Sequence, residues 1–124
     1  ENDTPNPLNY YGRLKLESEN LLRSSNRNFA IVRCSTVFSH FIDSKSNFFA
    51  WVYNNLKKGK EIKVVNDQFS RPTPVELLSK FINTIIPLKL NGIFNVCLDD
   101  SCSRFDFAKK YVRHSGLIQN LFIR

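Results

Sequence analysis

The feature that most constrains the fold of this chain is a repeated switch between two hydrophobic spacings. Three short apolar runs, at 29–34, 61–65 and 92–98, have the length and β-branched content of buried strands. The segments around them carry apolar residues three and four positions apart, which is the spacing of an amphipathic helix. The predicted order is helix, strand, helix, strand, helix, strand, helix, with the helices at 8–22, 47–58, 73–86 and 103–112. This alternation predicts an α/β fold with a parallel sheet.

Local signals predict where the helices begin. Pro7 suits the first position of the first helix, because its missing N–H would have no partner there. Thr73 is predicted to cap the third helix, with Pro74 at its first position. Ser103 and Asp106 have the spacing of a capping box and predict the start of the fourth helix.

The composition excludes several classes of protein. The longest apolar runs are far shorter than the roughly 20 residues that a membrane helix needs. The 18 Lys and Arg residues outnumber the 11 Asp and Glu residues, but they are scattered and no nucleic-acid-binding signature accompanies them. His40 and His114 have no partners at metal-binding spacing. We therefore expect no nucleic-acid partner, no membrane segment and no metal site.

The cysteine count bears on the cellular compartment, and the lack of methionine bears on whether the chain is part of a longer protein. Cys34, Cys97 and Cys102 are odd in number and lack paired spacing, and Cys34 and Cys97 lie in apolar runs where a thiol acts as a small hydrophobic group. This pattern favours a reducing, cytoplasmic setting.

The chain has no Met, and three strands alone make a sheet with exposed edges. We expect it to be a single fragment, residues 1–124, of a longer protein.

The residues with the clearest chemical potential are Tyr11 and Lys15. Side chains four residues apart project from the same face of a helix, so the phenol and the ammonium group lie side by side. A free tyrosine has a pKa of about 10, and a neighbouring cation favours the phenolate and lowers that pKa. A tyrosine of this kind is suited to protonate a carbonyl oxygen as hydride arrives at the carbon.

The surrounding residues extend this hypothesis. Residues 7–19, PLNYYGRLKLESE, resemble the active-site helix of extended short-chain dehydrogenase/reductases, and above all the dTDP-4-dehydrorhamnose reductase family pattern P-x-N-x-Y-G-x-x-K-x-x-x-E. Five further segments are similar to that family in the same order: IVRCSTVF at 31–38, NF at 47–48, VNDQFSRPT at 65–73, GIFN at 92–95 and SRFDFA at 103–108. The resemblance implies the C-terminal part of a Rossmann-like enzyme: the active-site helix, the last Rossmann-type strand and the substrate-binding region.

The resemblance also implies roles for individual residues. Tyr11 would be the general acid and Lys15 its partner, which also binds the ribose of NADPH or NADH. Ser35, Thr36 and Val37 would lie near the nicotinamide, and Thr36 near the sugar as well. The residues implied to bind the nucleotide part of the substrate are Asn47, Phe48, Gln68 and Arg71. The implied reaction is the NADPH-dependent reduction of a dTDP-4-keto-6-deoxysugar for polysaccharide synthesis.

This chain also departs from the family pattern. Thr36 and Phe38 replace the usual Trp and Tyr, which leaves the sugar open. The glycine-rich phosphate-binding turn lies upstream in the family and is absent here, so the dinucleotide would be held mainly by a missing N-terminal half. Two alternatives stay open: a non-catalytic module like the regulatory subunit of methionine adenosyltransferase, and a sugar-nucleotide epimerase or dehydratase. A homodimer of the full-length form is also left open.

Overall fold

The computed structural model describes residues 3–39, 47–112 and 121–123. Helices and strands alternate, so the predicted α/β class is confirmed. The helices are α1 (Tyr10–Ser24), α2 (Phe48–Lys57), α3 (Val75–Ile85) and α4 (Arg104–Val112). The strands are β1 (Ala30–Cys34), β2 (Val37–Phe38), β3 (Ile62–Val64), β4 (Phe69–Ser70), β5 (Thr73–Pro74), β6 (Gly92–Val96), β7 (Cys102–Ser103) and β8 (Leu121–Ile123).

The longest strand pairing joins β1 to β6. The two strands run parallel over five residues, from Ala30 opposite Gly92 to Cys34 opposite Val96. Ile31 and Val96 are buried in this pair, as the apolar sequence predicts. Because the strands are parallel, their carboxyl ends meet at one edge, and the chain leaves both strands at the same place.

The prediction of one three-stranded sheet is wrong. β3 pairs in parallel with β8, away from β1 and β6. Ile62 and Val64 of β3 are buried while Lys63 between them is exposed, so β3 covers a core with one face. Two ladders of two residues each, β2 with β5 and β4 with β7, hold the connecting segments. The apolar runs identified β1, β3 and β6 but not the other five described strands, and hydrophobicity alone carries no information about which strand pairs with which.

The main core lies between α2, β3 and α4. Phe48 and Phe105 pack against its edge. The buried side chains that form it, which we call the α2–β3–α4 core, are Val52, Leu56, Ile62, Val64 and Ala108. Burial of five such side chains supplies a stabilisation that the exposed helix α1 does not share.

The first helix begins later than predicted. It starts at Tyr10, and its N-cap is Asn9, so Pro7 lies outside the helix rather than at its first position. The amide oxygen of Asn9 accepts a hydrogen bond from a backbone N–H of the first turn, which Pro7 has no means to do. Among the described helices, none is both long and apolar enough to cross a membrane.

The two other predicted helix starts have opposite outcomes. Thr73 is not a cap: it lies in β5, and its hydroxyl donates to the carbonyl of Val96 at 3.2 Å. Helix α3 begins after Pro74, with no side-chain cap in this described segment. The Ser103 cap is confirmed, since its hydroxyl oxygen accepts from the Asp106 N–H at 3.0 Å. The same hydroxyl donates to the Asp106 carboxylate at 2.6 Å.

Candidate functional site

The start of α1 fixes the position of Tyr11. Asn9 Oδ1 accepts a hydrogen bond from the N–H of Gly12 at 2.8 Å. A Cβ at position 12 would lie 3.0 Å from the Cβ of Pro7 and 3.3 Å from Asn9 Oδ1, which is closer than ordinary contact. Glycine at this position therefore lets the segment before the helix lie close against the turn that carries Tyr11, and a larger residue would need Pro7 or Asn9 to shift by a few tenths of an ångström.

Tyr11 and Lys15 are in contact on the exposed face of this turn. The Lys15 ammonium nitrogen lies 5.4 Å from the centroid of the Tyr11 ring, within the range of a cation–π interaction. The Tyr11 side chain is 69% exposed. The structure thus brings the two predicted catalytic side chains together and leaves both accessible, while their catalytic role stays a prediction.

An open groove separates α1 from β1, and we call it the helix–strand groove. Tyr11, Lys15 and Glu19 lie along its helix side, at successive turns, and residues 30–34 of β1 form the other side. In the described part of the chain, none of the fifteen residues of α1 is buried. Within this chain the helix therefore contributes no buried side chain to a core shared with the strand.

An ion pair connects the two sides of this groove. Arg33 Nε donates to Glu19 Oε1 at 2.8 Å, and Arg33 Nη2 donates to Glu19 Oε2 at 2.6 Å. Arg23, on α1 itself, makes a longer contact of 3.3 Å with the same carboxylate. The hydrogen bonds from Arg33 are the largest cause that lowers the pKa of Glu19 below its ordinary value, against a smaller opposing effect of burial. The sequence left the role of Arg33 open, and this pair supplies it.

A second opening, the strand-end cleft, lies where β1 and β6 end. Ser35 and Arg71 line it together with Arg33 and Asn95. Cys34 and Cys97 line it as well, and both are free thiols. Cys34 is exposed and Cys97 is half-buried, so the apolar run around Cys34 does not pack its thiol as a small hydrophobic group.

A third opening, the phenylalanine pocket, lies beyond β2. The ring of Phe48 contacts the Arg104 guanidinium at 5.4 Å and lies 6.0 Å from the ring of Phe107. Phe107 in turn meets Phe38 edge to face at 4.9 Å. The pocket is lined by Thr36, Phe38, Phe48, Ser70, Pro72, Arg104 and Phe107. Its lining combines apolar rings with one cation and two hydroxyl groups.

The predicted site residues divide among these three openings. Tyr11 and Lys15 lie in the helix–strand groove, Ser35 and Arg71 in the strand-end cleft, and Thr36 and Phe48 in the phenylalanine pocket. Ser35 and Thr36 are consecutive, so the last two openings meet at the end of β1.

The three remaining predicted residues lie beside these openings. Val37 is exposed on β2. Asn47 is buried: its Nδ2 donates to the Ser39 carbonyl at 2.5 Å and its Oδ1 accepts from the Phe49 N–H at 3.1 Å. Its amide therefore caps α2 and fixes the preceding loop. Gln68 is exposed, and its backbone carbonyl accepts a hydrogen bond from the backbone N–H of Arg104 at 3.0 Å.

Sequence reasoning missed the part of the pocket that comes from α4. Arg104 follows the capping residue Ser103 directly, and Phe107 lies one turn further along the same helix. The position of Arg104 as the first residue of a capped helix was the one available signal. His40 and His114 lie outside the described residues, which contain no group of three metal-ligating side chains.

Comparison with known proteins agrees with the geometry. Residues 1–121 match the family model described as the RmlD substrate binding domain. The spore coat polysaccharide biosynthesis protein SpsK of Bacillus subtilis is 30% identical over 117 residues, covering 94% of this chain and 40% of that protein. The dTDP-4-dehydrorhamnose reductase of Escherichia coli K12 is 33% identical over 114 residues, covering 87% of this chain and 37% of that protein.

A solved structure shows the same arrangement of elements. The dTDP-4-dehydrorhamnose reductase of Bacillus anthracis, in complex with NADP, matches all of this chain and 44% of its own, with a TM-score of 0.90 and 32% identity. The chain thus spans about 40% of the length of the relatives it matches. The family match over nearly the whole chain confirms the resemblance seen in the Tyr11 motif, and the chain belongs to the RmlD substrate-binding domain family.

Proposed function

We propose that this chain is the substrate-binding part of an NADPH-dependent reductase that acts on a dTDP-linked 4-keto-6-deoxysugar. One observation carries the proposal: Tyr11 and Lys15 are in contact along the same groove as β1, the strand that leads into Ser35 and Thr36. The fold thereby brings the proposed proton donor Tyr11 and the cation Lys15 near the carboxyl end of β1. In parallel sheets, ligands bind at this end of the strands. The similarity of this chain to dTDP-4-dehydrorhamnose reductases supports this reaction.

The dinucleotide fits this chain only in part. The Tyr11 hydroxyl and the Lys15 ammonium group are exposed in the groove and suit the hydroxyl groups of a nicotinamide ribose. The four glycines of the chain form no G-x-G-x-x-G turn, so we assign the dinucleotide phosphates to residues outside this chain. When bound, the dinucleotide supplies the hydride that reduces the carbonyl carbon. Ser35, Thr36 and Val37 are the residues that we place nearest to it.

Tyr11 is proposed to protonate the carbonyl oxygen at C4 of the sugar. As the carbon gains hydride, the electron pair of the C=O bond moves onto oxygen, and the Tyr11 hydroxyl proton is transferred there to give the alcohol. The ammonium group of Lys15 lies 5.4 Å from the ring centroid, on the same face of the helix as the group that loses this proton. Exposure of Tyr11 allows it to regain a proton from solvent.

The nucleotide part of the substrate is assigned to the other two openings. Arg71 in the strand-end cleft offers a planar donor group for the diphosphate. Phe48 and Arg104 offer a ring and a cation for the nucleoside. We propose that Gln68 acts on the substrate through Arg104, whose backbone N–H its backbone carbonyl binds. We propose that Asn47 acts indirectly, by capping the helix that begins with Phe48. The free thiols favour a cytoplasmic location.

The test is a pair of tyrosine variants in the longest protein that contains this chain. Tyr11→Phe removes the proton donor, so turnover of dTDP-4-keto-6-deoxysugar with NADPH falls by roughly 10²–10⁴-fold, while sugar-nucleotide binding is kept. Tyr10→Phe is the matched control, because Tyr10 is the adjacent exposed tyrosine and should leave turnover unchanged. Equal turnover in Tyr11→Phe and the wild-type protein would overturn the proposal.

The regulatory module remains the second candidate, because α1 and the residue that follows α3 expose apolar side chains, Leu21 and Ile86, that suit a protein partner. It predicts no turnover in the wild-type protein, and a partner complex that survives Tyr11→Phe. The epimerase or dehydratase alternative predicts conversion of a nucleotide sugar without net consumption of NADPH. Product analysis of the same reaction separates these outcomes.

A further inference from the structure

We infer that the Glu19–Arg33 ion pair is the positioning device of the site: it holds the helix that carries Tyr11 and Lys15 at a fixed distance from the strand that leads to Ser35. The inference rests on the proposed function for its catalytic consequence, and on the structure alone for its mechanical part.

The first step is the small contribution of apolar burial to the attachment of α1 in the part of the chain that the structure describes. Within the described residues, α1 has no buried side chain, and apolar residues such as Leu21 are 72% exposed. The helix–strand groove is open rather than filled. Side-chain packing, which positions most helices in proteins, therefore contributes little to holding α1 on β1.

The second step is the geometry of the pair. Arg33 binds both oxygens of Glu19, at 2.8 and 2.6 Å, so the contact fixes an orientation as well as a distance. The side chains are 16% exposed for Glu19 and 30% exposed for Arg33, so water screens this pair less than a surface pair. Arg23 binds the same carboxylate from within α1 and constrains nothing across the groove.

The third step is the place of Glu19 on the helix. Tyr11, Lys15 and Glu19 lie at successive turns of one face, so Glu19 is about 12 Å along the axis from Tyr11. Arg33 lies on β1, and Ser35 follows it two residues later, just after the end of that strand. A tilt of α1 by roughly 10° about its Glu19 end would move Tyr11 by about 2 Å, and errors of 1 Å in a reacting group cost on the order of 100-fold in rate.

Hydrogen exchange of the backbone amides of α1 in this chain tests the mechanical part. A detached helix of this length is marginal in water, so release of α1 from β1 exposes its amides. Arg33→Gln should speed α1 exchange by roughly tenfold, and Arg33→Lys, which keeps the charge but lacks the two-pronged contact, should give an intermediate effect. Arg23→Gln is the matched control and should change it little. Equal effects of the Arg23 and Arg33 variants would overturn the inference.

Kinetics of the longest protein test the catalytic part. Arg33→Gln should lower kcat by about 10–100-fold because the site is misaligned. Arg33 also lines the strand-end cleft, so Glu19→Gln, which breaks the same pair from outside that cleft, should lower kcat by a similar factor with KM nearly unchanged. Arg33→Lys should recover part of kcat, and Arg23→Gln should keep all of it. An active wild-type protein with unchanged kcat in Arg33→Gln overturns the inference and leaves the proposed function intact. An inactive wild-type protein overturns the proposed function, and the exchange result then decides the mechanical part.

Discussion

The α2–β3–α4 core and helix α1 are held in place by different forces. In the core, Val52, Leu56 and Ala108 are each 1% exposed, and contact follows from apolar burial. Across the helix–strand groove, α1 makes a charged contact between Glu19 and Arg33 and buries no side chain among the described residues. Within this chain, the apolar core and the helix that carries the proposed catalytic pair are therefore separate regions. The position of the proposed catalytic pair relative to β1 therefore depends on the hydrogen bonds between Glu19 and Arg33.

The largest expected difference between the regions is the cost of removing a leucine side chain. Leu56→Ala creates a cavity in the core and should lower the free energy of unfolding by about 2–5 kcal/mol. Leu21→Ala, on the exposed face of α1, should change it by less than about 0.5 kcal/mol. Equilibrium denaturation of the two variants gives both values, and similar losses would mean that α1 is packed as firmly as the core.

A smaller difference is expected between the two helix caps. Ser103 is 1% exposed and caps α4 beside the core, so Ser103→Ala should cost about 1–2 kcal/mol of global stability. Asn9→Ala removes an equivalent cap from α1, and its loss of about 1 kcal/mol should be confined to that helix. Denaturation should detect the first, and amide exchange in α1 should detect the second. A global loss in Asn9→Ala would contradict the separation of the regions.

The smallest expected effect is the pH dependence of the ion pair. The pKa of Glu19 is lower in the folded chain than its ordinary value of 4.5. The pair therefore contributes its full stabilisation above pH 4.5 and loses it as the pH falls through the folded-state pKa. Arg33→Gln should raise the Glu19 pKa towards 4.5, and Arg23→Gln should raise it less, because the Arg33 hydrogen bonds are the largest cause. A carboxyl titration by NMR measures both midpoints, and an unchanged midpoint in Arg33→Gln would exclude this pair in solution.

Much of the site follows from the sequence because it depends on neighbours along the chain. The contact of Tyr11 with Lys15 follows from helical spacing, and the Ser103 cap from a spacing of three residues. The role of Thr73 did not follow, because a hydroxyl before a proline suits a helix cap and a buried strand equally well. Its actual partner is the carbonyl of Val96, 23 residues away.

By itself the sequence determined the α/β class, the positions of the four helices and of β1, β3 and β6, the family and the proposed catalytic pair, because these depend on local periodicity and short motifs. The tertiary structure decided that β3 pairs with β8 rather than with β1 and β6, and that Arg33 binds Glu19 across the groove. It also decided that Arg104 of α4 meets Phe48 of α2. The physical reason is the same in each case: these contacts join residues distant along the chain, and which distant groups meet is set by the packing of whole elements.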